Sequence, residues 1–359
     1  MVRISQKASI LLRQLYRPFI SECRFYATLY PNSQECRDPA PLFFDRNVQK
    51  MLKTLTRVDY EKVSRPRMDG NRMQPPVYKF MTDEELSTAL AEAKMKMNRR
   101  LQMPPVVKTR SEEVQVLSKD PALQGCIKHK YVFTDITFGV SDRNRVIAIR
   151  DLDGTLRHAL SSERDRYNQV YFPQRGKEMH RPKMFDGEYL TNLLDQGEYE
   201  YIMDRACIQF DPDDPNYQEI AGVVYSHVKS TGRYDILRST RHFGPMAFYF
   251  AWIGQIDDLL VEILENRRID EAATLIRLYY KVRPTSKHLV EMDASKEKIE
   301  DSISNMELIE HYAKTDSSRS HHIERAIAAY KKLEEEKKKV AEGIKNAHGF
   351  TEDSTNDCT

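Results

Sequence analysis

The chain has 359 residues, of which 40% are hydrophobic and 31% charged, and its formal net charge at pH 7 is +2. That length accommodates one large or two modest domains, and the apolar content is sufficient for a buried core. No run of residues approaches the roughly 20 consecutive apolar residues of a membrane-spanning helix, which argues against an integral membrane protein.

Residues 1–26 have the composition of a mitochondrial transit peptide, with five basic residues, one acid and interleaved hydroxyl and apolar side chains. The junction Arg24-Phe25-Tyr26-Ala27 resembles a matrix processing signal, so we expect cleavage after Tyr26 and location in the mitochondrial matrix. A disordered basic arm is the alternative interpretation. Removal of five positive charges and one negative charge would change the net charge from +2 to −2.

Residues 27–125 are predicted to form a basic extended arm with helical patches at 45–55 and 82–103. Residues 41–110 contain 15 Lys or Arg against 8 Asp or Glu, a net charge of +7, whereas residues 111–359 contain 35 against 43, a net of −8. Because phosphate neutralisation supplies most non-specific affinity for nucleic acids, any RNA contact is expected mainly in this arm. The candidate contacts are Arg65, Arg67, Arg72, Lys79, Arg99 and Arg100, for which solvated surface charge is the alternative.

Residues 126–160 are predicted to form a small antiparallel sheet. Val132, Thr134, Ile136 and Phe138 alternate along a first strand, Val146–Ile149 form a second, and residues 155–159 a possible third after an Asp153-Gly154 turn.

The same turn supports a competing hypothesis. The segment VIAIRDLDGTL resembles the first motif of haloacid-dehalogenase-type phosphatases, in which Asp151 would be the nucleophile and Asp153 the acid/base, with magnesium as cofactor. That fold requires a parallel sheet of alternating strands and helices, and the residues after the motif have almost no strand pattern. Asp-Gly is also a common hairpin turn.

Residues 161–284 are predicted to form a helical core domain, and residues 285–359 a C-terminal helical extension with a disordered tail. Three helices within 237–280 organise the core, because apolar residues recur there at i, i+3, i+4 and i+7 spacing. The predicted fold is mainly α: an irregular arm, a small sheet and an α-solenoid-like stack of antiparallel helices. The five cysteines, at positions 23, 36, 126, 207 and 358, form no metal-binding pattern, and we expect no cofactor or metal.

Four segments resemble one family in order and spacing: KYVFTDITF (130–138), ERDRYNQVYFP (163–173), QFDPDDPNY (209–217) and LRSTRHFGPMAFYF (237–250). They are similar to the mitochondrion-specific family of small-subunit ribosomal proteins numbered 22. The resemblance implies a non-catalytic ribosomal component whose partners are other small-subunit mitoribosomal proteins and the small-subunit rRNA, with no membrane or small-molecule partner. Within the best-matching segment, Arg238, Arg241 and His242 are further candidates for RNA or partner contact, with capping and ion pairing inside the domain as the alternative.

Overall fold

A computed structural model describes residues 38–65, 75, 77–126, 128–283 and 304–347. Among these, residues 107–224 form one compact unit, and residues 38–106 together with those from 225 onward form a second. The predicted transit peptide, Arg67, Arg72 and the C-terminal residues 348–359 lie outside the described residues.

The first unit contains a four-stranded sheet with the order β1-β4-β3-β2. Its strands are β1 (Val116–Lys119), β2 (Tyr131–Thr134), β3 (Ile147–Arg150) and β4 (Thr155–His158). All three strand pairs are antiparallel, which confirms the predicted sheet type.

Two details of the strand prediction were wrong. The first predicted strand continued to Phe138, but β2 ends at Thr134, because the Asp135 carboxylate accepts hydrogen bonds from the backbone N–H and the hydroxyl of Thr137 and turns the chain. Strand β1 was not predicted at all. Its four residues, VLSK, are all exposed and show no alternation of burial.

The helices of the first unit are α5 (Ser161–Tyr171), α6 (Gly187–Gln196), α7 (Tyr199–Gln209) and α8 (Pro215–Thr231), of which α8 belongs to this unit up to Val224. Short 3-10 turns occur at Pro121–Leu123 and Lys183–Phe185. Gly197 ends α6 with φ +81°, a left-handed conformation that glycine adopts without strain. Asp214 caps the start of α8 by accepting a hydrogen bond from the backbone N–H of Asn216.

The second unit is helical in its described residues. Its N-terminal helices are α1 (Ala40–Phe43), α2 (Arg46–Thr56), α3 (Tyr60–Ser64) and α4 (Asp83–Arg100). After α8 follow α9 (Tyr234–Leu237), α10 (Phe243–Ile253), α11 (Asp257–Glu265), α12 (Ile269–Val282), α13 (Asn305–Thr315) and α14 (Ser320–Ala347). The three helices predicted within 237–280 are α10, α11 and α12.

Helix α10 forms the centre of this unit, since every residue from Phe243 to Ala251 is buried. It packs against α2 and α12, and α12 also contacts α11 and α13. Helix α2 was predicted as a helical patch of an extended arm, but it lies in the core, because Val48, Leu52 and Leu55 form one apolar face at i, i+4, i+7 spacing.

The chain is thus mainly α with a small antiparallel sheet, as predicted. Within the described part of the chain, no helix combines the length and apolar character needed to cross a membrane.

Candidate nucleic-acid and partner interface

Helix α4 begins at a capping box and yet buries no residue along its length. Thr82 and Glu85 form a capping box, in which each side chain accepts a hydrogen bond from the backbone N–H of the other residue. Acidic residues occupy the first turn and basic residues the last, the arrangement that the helix dipole favours. Although the helix has 18 residues, none of them is buried.

The structure places the predicted arm residues on this exposed part of the second unit. Arg65 ends α3, Lys79 precedes α4 and Arg99 lies in its last turn, and all three side chains face solvent. We call Arg65, Lys79 and Arg99 the arm cations. Arg100 is also exposed, but it donates a hydrogen bond of 3.0 Å to the carbonyl of Val63 and so ties α4 to α3.

Two exposed aromatic side chains flank Lys79 and were not predicted as contact residues. Tyr78 is 91% exposed and Phe80 is fully exposed. Exposed aromatic rings beside a cation can stack on unpaired bases while the cation meets a phosphate. The Tyr-Lys-Phe sequence could have indicated an aromatic contact site. It lies in an aperiodic segment, however, so the sequence does not show whether the rings are buried.

Arg238, in contrast, lies in the core, with 4% of the residue exposed. Its Nη2 donates to Glu262 Oε2 at 2.6 Å, its Nη1 donates to the Leu55 carbonyl at 3.0 Å, and its guanidinium lies 4.4 Å from the centre of the Phe243 ring. Burial lowers the pKa of Arg238, and the neighbouring Glu262 opposes that shift. Arg238 is therefore held by an ion pair and a hydrogen bond within its own domain, which was the alternative to RNA or partner contact.

The residues around Arg238 extend this buried network. Arg57 donates from Nε to both carboxylate oxygens of Glu271, at 2.8 and 2.7 Å. Lys62 donates from Nζ to three backbone carbonyls, those of residues 235, 236 and 238, at 2.9, 2.8 and 2.6 Å. Ser239 has φ +60° and donates its backbone N–H to the Thr56 carbonyl at 2.8 Å. Sequence reasoning missed Arg57, Lys62 and Ser239, because their partners lie far away along the chain.

The other two candidates of this segment lie beside Arg238. His242 is fully buried at the start of α10, and Arg241 is partly buried. Arg241 Nε donates to His242 Nε2 at 3.4 Å. Of the predicted contact residues that the structure describes, Arg65, Lys79, Arg99 and Arg100 are exposed, whereas Arg238, Arg241 and His242 are buried or partly buried.

The aspartates of the phosphatase hypothesis lie in the turn that joins the antiparallel strands β3 and β4, whereas the hypothesis requires a parallel sheet. One carboxylate oxygen of Asp151 pairs with Lys130 Nζ at 2.9 Å, and the other accepts a hydrogen bond from Arg157 Nε at 2.6 Å. Partial burial raises the pKa of Asp151, but the bonds from Arg157 and Lys130 outweigh burial and lower it. Asp153 accepts hydrogen bonds from the backbone and side chain of Thr155. Both carboxylates thus have partners inside the sheet.

No cluster of three or more His, Cys, Asp or Glu side chains that could hold a metal ion occurs within the residues that the structure describes. Of the two cysteines among these residues, Cys126 is exposed and Cys207 is partly buried, with Sγ 3.7 Å from the hydroxyl of Tyr217.

Comparison with known proteins gives a consistent result. The family model described as mitochondrial 28S ribosomal protein S22 matches residues 41–284. Small ribosomal subunit protein mS22 of Mus musculus is 36% identical over 301 residues, which cover 84% of this chain and 81% of that protein. The protein of the same name from Bos taurus is 36% identical over 290 residues, covering 81% of this chain and 79% of its own length.

Proposed function

Because the chain belongs to the mitochondrial 28S ribosomal protein S22 family, we propose that it is a structural component of the small subunit of the mitochondrial ribosome. In that role it contributes protein–protein and rRNA contacts to assembly of the particle and to mitochondrial translation in the matrix. Family membership, over a match that covers most of the chain, is the observation that carries this conclusion.

The exposed part of the second unit supports rRNA contact at the N-terminal end. The arm cations belong to the stretch with a net charge of +7 and have solvent-facing side chains. Tyr78 and Phe80 add two aromatic rings beside one of these cations. A cation with accessible rings on either side, as at Lys79, combines the two components with which proteins bind single-stranded RNA.

The remainder of the chain favours protein partners over RNA. Residues 111–359 have a net charge of −8, which repels a polyphosphate backbone. Asp151 and Asp153 both have partners within the sheet, so the aspartates of the phosphatase motif have a structural explanation that needs no catalysis. We infer a non-enzymatic protein whose acidic body contacts neighbouring ribosomal proteins.

Sedimentation tests this proposal. Lysed mitochondria are run on a sucrose gradient with magnesium present and then chelated, and the protein is compared with markers of the small and large subunits. We expect co-migration with the small subunit, and loss of that co-migration when chelation dismantles the particle. Migration at the protein's own mass in the presence of magnesium would overturn the ribosomal role.

An Asp151→Asn variant is the control for the phosphatase alternative. The substitution removes the charge of the carboxylate but retains an oxygen that accepts hydrogen bonds from Arg157. After depletion of the endogenous protein, the wild type and this variant are expected to restore mitochondrial translation equally. If only the wild type restores it while both chains enter the particle, the phosphatase interpretation regains support.

A further inference from the structure

Strand β2 lies at one edge of the sheet, and in the described residues it pairs with β3 alone. The backbone N–H of Asp135 donates to the carbonyl of Val146 at 3.1 Å, just beyond the end of the strand. Hydrogen-bonded residues alternate along an antiparallel pair, so Tyr131 and Phe133 bond to β3. The N–H and C=O groups of Val132 and Thr134 therefore point away from the sheet, toward the open edge.

The pairing of β3 with β4 gives the same assignment independently. Asp151 donates its N–H to Thr155, and Ala159 donates its N–H to Ile147. The odd-numbered residues of β3 thus bond to β4, which leaves the even-numbered residues, such as Ala148, to bond to β2. Their partners in the observed register are the odd-numbered residues of β2.

The two edges of this sheet differ in how they are protected against pairing. The β1 edge has a register shift between Val116 and Ser118, a charged residue at Lys119, and Pro121 two residues after the end of the strand. Natural sheets use bulges, lysines and prolines of this kind to prevent an additional strand from joining an edge. The residues of β2, YVFT, include no charge and no proline, and their register with β3 is continuous.

Large apolar side chains accompany the unprotected edge. Tyr131 and Phe133 lie on the same face of β2 and are each about half exposed, while Ile136 is 83% exposed and Phe138 is fully exposed. Apart from Tyr131, the only ionisable acid or base among residues 131–140 is Asp135, and Lys130, directly before the strand, is paired with Asp151 at 2.9 Å. The strand and the loop after it therefore present no unpaired cation to a phosphate backbone. Open backbone groups beside exposed aromatic rings are the features that bind an extended peptide by strand addition.

We propose that the β2 edge accepts an extended segment of a neighbouring ribosomal protein as a fifth strand of this sheet. The backbone groups of Val132 and Thr134 pair with that segment, and its alternate apolar side chains pack on Tyr131 and Phe133. This inference rests on the proposed function, because it assumes that the protein has neighbours in the particle.

Photocrosslinking in the assembled particle tests this inference. The full-length chain is synthesised with p-benzoylphenylalanine at position 133, imported into mitochondria, and irradiated after isolation of the small subunit on a gradient. We expect an adduct that resists ribonuclease and that mass spectrometry maps to an extended segment of another subunit. An adduct to RNA, to a second copy or to this chain's own residues would overturn the inference, as would absence of any adduct.

Matched proline variants at the two edges show whether strand addition holds the partner. Val132→Pro removes an N–H that does not bond to β3. Lys119→Pro is the matched change at the β1 edge. There the Asp120 N–H donates to the Gly154 carbonyl, and because bonded residues alternate along a strand, the N–H of residue 119 does not bond to β4. We expect Val132→Pro to lower the adduct yield about tenfold through the missing donor and the obstructing ring. Lys119→Pro is expected to leave the yield unchanged.

If circular dichroism shows that Val132→Pro unfolds the sheet, a third variant tests the edge instead. Tyr131→Glu keeps the backbone N–H and places a carboxylate opposite Arg150, its cross-strand neighbour. It is expected to lower the adduct yield several-fold. An unchanged yield refutes strand addition, in Val132→Pro if that variant folds and otherwise in Tyr131→Glu. The gradient separates the two proposals. Absence of the chain from the small subunit contradicts the proposed function, whereas co-sedimentation without the expected adduct contradicts only the inference about the β2 edge.

Discussion

Replacing Arg238 by Met tests whether this residue stabilises the core. Methionine retains most of the apolar stem but donates no hydrogen bond, so Glu262 loses a bond of 2.6 Å and the Leu55 carbonyl loses one of 3.0 Å. Glu271 keeps Arg57 at 2.6 Å and Arg268 at 3.0 Å, and Asp235, 3.8 Å from Arg238, is largely exposed, so Glu262 is the carboxylate that loses a basic partner away from solvent. Breaking a buried ion pair in this way costs about 3 kcal/mol.

Urea unfolding followed by tryptophan fluorescence measures this cost in the second unit alone. Trp252 is the only tryptophan of the chain, and it stacks on Phe248 in α10. With a denaturant dependence of about 2 kcal/mol/M, a loss of 3 kcal/mol lowers the midpoint by about 1.5 M urea. The matched control is Arg99→Met, the same substitution at a solvent-facing residue, for which the change is expected to stay within about 0.5 kcal/mol.

A second substitution tests the proposed cause of the loss. Glu262→Gln removes the carboxylate charge that Arg238→Met leaves unpaired, so the double variant is expected to be about 1–2 kcal/mol more stable than the sum of the single effects predicts. Strict additivity would show that the two side chains do not interact. A midpoint for Arg238→Met equal to that of Arg99→Met would refute the assignment of Arg238 to the core.

Two further predictions concern the charges of the arm and of the sheet. Replacing the three arm cations by Gln is expected to reduce the salt dependence of particle association, measured as the slope of log affinity against log salt, by roughly 2 units, and an unchanged slope would place the RNA contact elsewhere. The control replaces three exposed basic residues outside the arm, Arg175, Lys183 and Arg233, and should leave the slope unchanged. In the sheet, a hydrogen bond from Arg157 lowers the pKa of Glu163 and helps to lower that of Asp151 against the effect of burial. The stability that comes from these lowered pKa values is present at neutral pH and is lost as the pH falls below about 5. The unfolding temperature of Arg157→Met is therefore expected to differ less between pH 7 and pH 3.5 than that of the wild type. An equal difference in the two proteins would contradict this prediction.

The sequence predicted those parts of the fold that local patterns determine. The three central helices followed from apolar residues at helical spacing, and the helical patch predicted at 82–103 is α4, which begins at the capping box of Thr82 and Glu85. Gly197 and Gly254 end their helices with φ values of +81° and +83°, as expected for glycine directly after a periodic segment.

The features that the sequence did not reveal depend on contacts between distant residues. Strand β1 has no alternation of its own and exists because residues 116–119 pair with residues 155–157. The carbonyl that receives a hydrogen bond from Arg238 lies 183 residues away in the chain, and the three carbonyls that Lys62 caps lie 173 to 176 residues away. A propensity or a spacing rule considers neighbours within one element, so it cannot distinguish a buried arginine from a solvated one.

The buried candidate Arg238 and the exposed helix α4 therefore differ in which contacts hold them in place. Arg238 is held by carboxylates and a carbonyl of its own chain, so its geometry requires no RNA. Helix α4 has 18 residues and buries none of them, whereas most helical stability in proteins comes from packing of an apolar face. Leu86 and Leu90, one turn apart on α4, are 49% and 62% exposed. Under the proposed function, this face packs against the ribosomal particle, so α4 is expected to be the element whose protection against hydrogen exchange rises most on assembly.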